Sequence, residues 1–95
     1  MTRPGRLSDA DVEAALRGLA GWERSGDEIV KVFERPSFAD AIAFVVRVGF
    51  LAEAADHHPD IDVRWRRVRV ALTTHDAGGL TALDVDLARR IEEIA

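Results

Sequence analysis

Residues 61–75 read Ile61-Asp62-Val63-Arg64-Trp65-Arg66-Arg67-Val68-Arg69-Val70-Ala71-Leu72-Thr73-Thr74-His75, and this stretch decides the fold. Ile61, Val63 and Trp65 alternate with Asp62 and Arg64, and Val68, Val70, Leu72 and Thr74 alternate with Arg69, Ala71 and Thr73. Alternation at period two is the signature of a half-buried strand, so the segment reads as a β-hairpin. With Arg66 and Arg67 as the turn residues, Trp65 pairs with Val68, Val63 with Val70 and Ile61 with Leu72. Arg-Arg lacks the Gly or Asn that such turns favour, which leaves a longer loop or a slipped register open. Either way the histidines lie at the end away from the turn, and continuing the ladder sets His58 opposite His75.

Upstream of the hairpin, Glu53-Ala54-Ala55-Asp56-His57-His58-Pro59 holds the other two of the chain's three histidines. Imidazole is the side chain whose unperturbed pKa lies nearest neutrality, so three of them on one spot point to proton transfer. Glu53 and His57 are four apart and share a helix face. A carboxylate bonded to one ring nitrogen would fix the tautomer of His57 and suit it to acid-base work. His58, beside Pro59, points elsewhere and is placed to bind a ligand. Two other readings stand beside this one. The histidine pair can simply cap the helix C-terminus, where positive charge is favourable. Alternatively, Glu53, His57 and His75 can be metal ligands, which requires all three about 2 Å from one ion.

The helix that carries this segment, over residues 38–56, is apolar almost all the way round. Its charged positions are Asp40, Arg47, Glu53 and Asp56. Ile42, Val45, Gly49 and Ala52 form one stripe, and Phe44, Val48, Leu51 and Ala55 form another. A helix apolar on two sides needs two partners: the sheet of its own subunit, and a second subunit. Pro59 ends it, because the residue before proline is biased out of the helical region.

Helix starts recur along the chain. Ser8 with Asp11, Ser37 with Asp40 and Thr81 with Asp84 each set a hydroxyl at the N-cap and a carboxylate three residues on, a capping box with Asp in the usual Glu position. Leu7 with Val12 and Leu80 with Val85 have the spacing of a hydrophobic staple. Between the first two starts, residues 22–24 and 29–33 read as short strands around Ser25-Gly26-Asp27. The order is α-β-β-α-β-β-α. The fold class expected is α+β, a four-stranded antiparallel sheet with helices packed on one face, in one domain over residues 1–95.

Composition narrows the function classes. Ninety-five residues, 47% hydrophobic and 32% charged, suit one globular core, and oligomerisation is a common support at this size. No cysteine is present, which removes disulfides, thiolate metal sites and cysteine nucleophiles. No secretory signal is read in residues 1–6 and no apolar run is long enough to span a bilayer, so a cytoplasmic location is expected. The net charge of -4 argues against nucleic acid as a main partner. Arg64, Arg66, Arg67 and Arg69 surround Trp65, but the alternation assigns Trp65 to the core face and leaves the arginines as a solvated rim. Asp84 reads as a structural cap.

Together, Glu53-x3-His57-His58-Pro59-x5-Trp65-x9-His75-x8-Asp84 resembles the signature of the pterin-4a-carbinolamine dehydratases. Every element stands at the family's spacing, and the likeness runs from the Leu7-Ser8 helix start through Gly21-Trp22 to the last helix. A string of this length is highly specific as motifs go.

That resemblance implies a hydro-lyase with this α+β fold. It would dehydrate 4a-hydroxytetrahydropterin to quinonoid dihydropterin and water, without metal or other cofactor. The reaction recycles the tetrahydropterin of aromatic amino acid hydroxylases, and family members form homodimers or homotetramers. Carried over, His57, His58 and His75 make the catalytic centre, with His57 and His75 as the acid-base pair and His58 chiefly orienting the pterin. Asp56, Thr73, Thr74 and Asp76 join the three histidines as substrate contacts. Glu53 would position His57, while Pro59, Trp65 and Asp84 give support. The alternative is a non-catalytic pterin-binding or regulatory module on the same scaffold.

Overall fold

The computed structural model describes residues 4–95; the first three residues of the stretch read for a secretion signal lie outside it. The chain runs α1 (Asp9–Leu16), β1 (Glu23–Ser25), β2 (Glu28–Glu34), α2 (Phe38–Ala55), β3 (Asp60–Arg64), β4 (Arg67–Leu72), a 3-10 turn (His75–Ala77) and α3 (Ala82–Ile94). This is the α-β-β-α-β-β-α order expected from the sequence. The three helix starts form as their caps dictate. Ser8 Oγ accepts from the Asp11 amide and Ser37 Oγ from the Asp40 amide, each at 3.1 Å. At α3 the capping box is complete in both directions, which occupies backbone donors that otherwise lack helical partners.

The four strands form one antiparallel sheet in the order β1-β2-β4-β3. Its inner face carries Ile29, Phe33, Val68, Val70 and Leu72, all buried against the helices, and Ile61 and Val63 pack onto the same core. Trp22, Phe33 and Phe44 form an aromatic chain, with centroids 6.0 and 4.9 Å apart. The outer face shows the arginine rim. Arg64 pairs with Asp62 at 3.1 Å and Arg67 with Glu34 at 3.3 Å.

The hairpin closes earlier than its alternation indicates, which corrects two expectations. Val63 faces Val68 and Arg64 faces Arg67, so the turn residues are Trp65 and Arg66. Trp65 is therefore not on the core face: it is 71% exposed, with a left-handed φ of 54°. The physical reason is pairing on the other edge of β4. Arg67 stands opposite Glu34 and the Arg35 amide donates to Arg66 O at 2.8 Å, which keeps Arg67 in the ladder, and one non-glycine residue in the left-handed region costs only about 1–2 kcal/mol. Arg66 covers one side of the indole at 5.1 Å. The slip also changes the partner expected for His58, since continuing the observed ladder brings it toward Thr73 rather than His75.

Helix α2 packs against α3 and over β3 and β4. It buries Ala41, Phe44, Val48 and Ala52. Its opposite side leaves Phe38, Ile42, Val46 and Phe50 exposed at four-residue spacing, Phe50 at 72%. Among the described residues no helix is long and apolar enough to cross a membrane.

Candidate active site

The C-terminus of α2 sets the site. Asp56 adopts a left-handed conformation with φ 49° and ψ 43°. Its amide donates to Glu53 O at 3.2 Å and the His57 amide to Ala52 O at 3.1 Å, the paired bonds of a Schellman termination. Asp is among the few residues other than Gly that visit this region at modest cost. The consequence is directional: His57 leaves the helical track, so the four-residue spacing from Glu53 no longer sets its direction.

His57 turns inward and is 6% exposed. Its Nε2 lies 2.6 Å from Asp84 Oδ1, and Asp84 is fully buried. The other carboxylate oxygen, Oδ2, accepts from Thr74 Oγ1 at 2.8 Å and from the Thr81 amide at 2.9 Å. Thr74 Oγ1 and Thr81 Oγ1 are 2.8 Å apart, and the Leu83 amide donates to Thr81 Oγ1 at 3.2 Å. A buried charge is tolerable only when paired and hydrogen-bonded, and Asp84 receives three donors. Its reading as a cap holds, but the same carboxylate also holds His57. Thr81, read only as an N-cap, is the member of this network that sequence reasoning missed. Its signal was present, since a two-sided capping box fixes the N3 carboxylate in place.

His58 swings back over the helix, with Nε2 2.9 Å from Glu53 Oε1 and both side chains largely exposed. The expected Glu53–His57 contact is thus replaced by Glu53–His58, because the left-handed Asp56 inserts a reversal between the two positions.

The opposite wall comes from the end of β4. Thr74 and Gly79 form an isolated antiparallel bridge, and the 3-10 turn inside it lifts exposed His75 to the surface. Thr73 Oγ1 donates to Asp27 O at 2.6 Å and ties this wall to the β1–β2 turn. Between the walls is an open cleft of about 210 Å³ lined by Asp56, His57, His58, Thr73, Thr74, His75 and Asp76. These seven are the residues expected to contact substrate, so the fold brings that whole set together. Pro59 adjoins the cleft through His58, whereas Trp65 and Glu53 do not line it. The trio Glu53, His57 and His75 does not assemble as a metal site, because Glu53 and His57 are committed to other partners. Among the described residues no group of three or more His, Cys, Asp or Glu is placed to hold a metal ion.

Chemically, the cleft offers two imidazoles from opposite walls, one locked and one free, with a third on the rim.

Comparison with known proteins gives matches over nearly the whole chain. The profile of the family described as pterin 4 alpha carbinolamine dehydratase matches residues 5–94. A protein of Roseiflexus sp. (strain RS-1), provisionally named pterin-4-alpha-carbinolamine dehydratase, is 66% identical over 89 residues, covering 94% of this chain and 96% of the relative. A similarly named protein of Nocardia farcinica (strain IFM 10152) is 56% identical over 89 residues, covering 94% of each. Among solved structures, a transcriptional coactivator/pterin dehydratase from Brucella melitensis superposes with a TM-score of 0.92 at 35% identity, covering 96% of this chain and 99% of that one. A pterin dehydratase-like RuBisCO assembly factor of the alpha-carboxysome shares the fold, with a TM-score of 0.64 at 23% identity over 78% of this chain and 86% of its own.

Proposed function

The chain belongs to the pterin-4a-carbinolamine dehydratase family, and from that premise we propose that it dehydrates 4a-hydroxytetrahydropterin by histidine acid-base catalysis. The reaction asks for two proton movements at neighbouring atoms. The 4a-hydroxyl leaves as water after receiving a proton, while a ring nitrogen gives one up and its electron pair forms the new C=N bond. The observation that carries the reading is that His57 and His75 face one cleft from different walls, so donor and acceptor can act on one bound ring. Such proton transfers typically contribute a hundredfold or more each. His58, exposed and turned over Glu53, is suited to bind and orient the pterin. Asp56, Thr73, Thr74 and Asp76 supply the remaining contacts.

The same reading makes the protein a cytoplasmic lyase that serves tetrahydropterin recycling beside an aromatic amino acid hydroxylase. It also gives the outer stripe of α2, Phe38, Ile42, Val46 and Phe50, to a second copy of the chain, in a homodimer or homotetramer. Phe50→Glu would then lower the sedimentation mass of the protein; an unchanged mass removes that stripe from the interface.

The test is dehydration of freshly generated 4a-hydroxytetrahydropterin, followed by ultraviolet absorbance with and without chelator. Acceleration that chelator leaves unchanged is the expected result, and activity lost to chelator would mean the histidine roles are wrong. A second reading, a pterin-binding or regulatory module without turnover, is favoured by the two structural relatives, one a transcriptional coactivator/pterin dehydratase and the other a pterin dehydratase-like RuBisCO assembly factor. Saturable pterin binding with no acceleration would select it.

A further inference from the structure

Asp84 does more than cap α3. We propose that it is a positioning residue: with the Thr81 amide it holds His57 in the Nε2-protonated tautomer, so that Nδ1 is the bare nitrogen presented to the ligand. What Nδ1 then accepts rests on the dehydratase reading; the tautomer does not.

The protons of the network can be assigned one by one. The Thr81 amide can only donate, and it donates to Asp84 Oδ2. Thr74 spends its single hydroxyl proton on the same oxygen, so between the two threonines Thr81 must donate to Thr74. The Leu83 amide then donates to Thr81 Oγ1. The carboxylate has no proton of its own to give, so at the 2.6 Å contact it is His57 Nε2 that donates. A neutral imidazole carries one N–H, which leaves Nδ1 unprotonated. Among the described residues Nδ1 has no protein partner, and the buried side-chain nitrogen left without one is Arg35 Nε, not Nδ1. It therefore opens onto the cleft that His57 lines.

This divides the reaction between the walls. His57 begins as the base: Nδ1 takes the proton from the pterin ring nitrogen. His75, exposed and free to exchange protons with solvent, supplies the proton on which the 4a-hydroxyl departs as water. One proton is taken and one given, and return of the proton from His57 to His75 through solvent closes the cycle.

Asp84→Asn tests the assignment because the amide side chain cannot choose its orientation freely. The Thr81 N–H is fixed in the backbone, so the amide oxygen takes the Oδ2 place and the NH2 takes the Oδ1 place. There it donates to Nε2 and drives the ring proton to Nδ1, the inverted tautomer. Shape and cap are retained. The measurement is ring-nitrogen NMR of His57 at a pH where the imidazole is neutral, with kcat and KM beside it. Expected are Nε2–H with bare Nδ1 in the wild type, and the reverse in Asp84→Asn. With the inversion, kcat falls about a hundredfold or more while KM stays near wild type.

A wild-type His57 carrying its proton on Nδ1 overturns the proposal, and that spectrum decides even if Asp84→Asn does not fold. An Asp84→Asn ring that keeps Nε2–H overturns it too. Inversion with unchanged kcat overturns the role given to Nδ1. A wild-type protein that shows the expected tautomer but dehydrates nothing defeats the dehydratase reading instead, so the two failures are distinguishable.

Discussion

His57 and His58 are consecutive in the chain and line one cleft, yet they stand in opposite surroundings. His57 is buried against a carboxylate that is itself buried and triply bonded, and the contact joins positions 27 residues apart. His58 leans on Glu53, five residues back, with both partners in solvent. The same side chain is thus a fixed element on one side of Asp56 and an adaptable one on the other. The difference teaches where function is rigid: pre-organised chemistry needs a ring whose orientation is settled before the ligand arrives, while recognition at a rim tolerates motion.

The contrast can be broken at several points. The largest effects belong to the proton-transfer pair. His57→Ala and His75→Ala should each lower turnover by about a hundredfold or more, and wild-type rates in either variant would remove that residue from the mechanism. His58→Ala should act mainly on KM, with a smaller change in kcat. A kcat loss equal to that of His57→Ala would erase the distinction between the two neighbours.

Stability gives the same contrast on a second scale. Asp84→Ala strips partners from the Thr81 amide, Thr74 and His57 inside the protein. At about 1–3 kcal/mol for each buried group left unsatisfied, the loss in urea unfolding should reach about 3 kcal/mol or more. Glu53→Ala removes only an exposed pair and should stay within about 0.5 kcal/mol. Losses of similar size in both would show that the buried network is not what fixes His57.

Trp65→Gly probes the other end of the hairpin. Glycine relieves the left-handed strain at φ 54°, so the change should be about 1 kcal/mol or less in either direction. A loss of about 3 kcal/mol, the scale of a core aromatic truncation, would return Trp65 to the core.

Much of the fold was legible because its signals are local. Ser8, Ser37 and Thr81 announced the helix starts from residues three apart, and the aliphatic alternation of Ile61, Val63, Val68 and Val70 announced the hairpin. The apolar character of α2 forecast a second apolar face but not its residues: of the exposed Phe38, Ile42, Val46 and Phe50, only Ile42 stood in either stripe read from the sequence. What was not legible depended on reversals or distance. The alternation ran one residue past the last pair, so Trp65 looked like strand until pairing decided otherwise. The left-handed Asp56 left no mark on the Glu53–His57 spacing. Nothing near His57 signalled Asp84, because the contact exists only once α3 packs against the end of α2. The cleft residues themselves were named from the motif, and the fold explains why such distant positions belong to one list.

The most direct measurement is a structure of this protein with a tetrahydropterin bound, whose reacting ring nitrogen keeps its N–H. The ring is expected in the cleft between His57 and His75, with His57 Nδ1 at hydrogen-bonding distance, about 3 Å, from a pterin ring nitrogen that carries a proton, and His58 at the periphery. A pterin held elsewhere, or held in the cleft with Nδ1 turned away from it, would contradict the account.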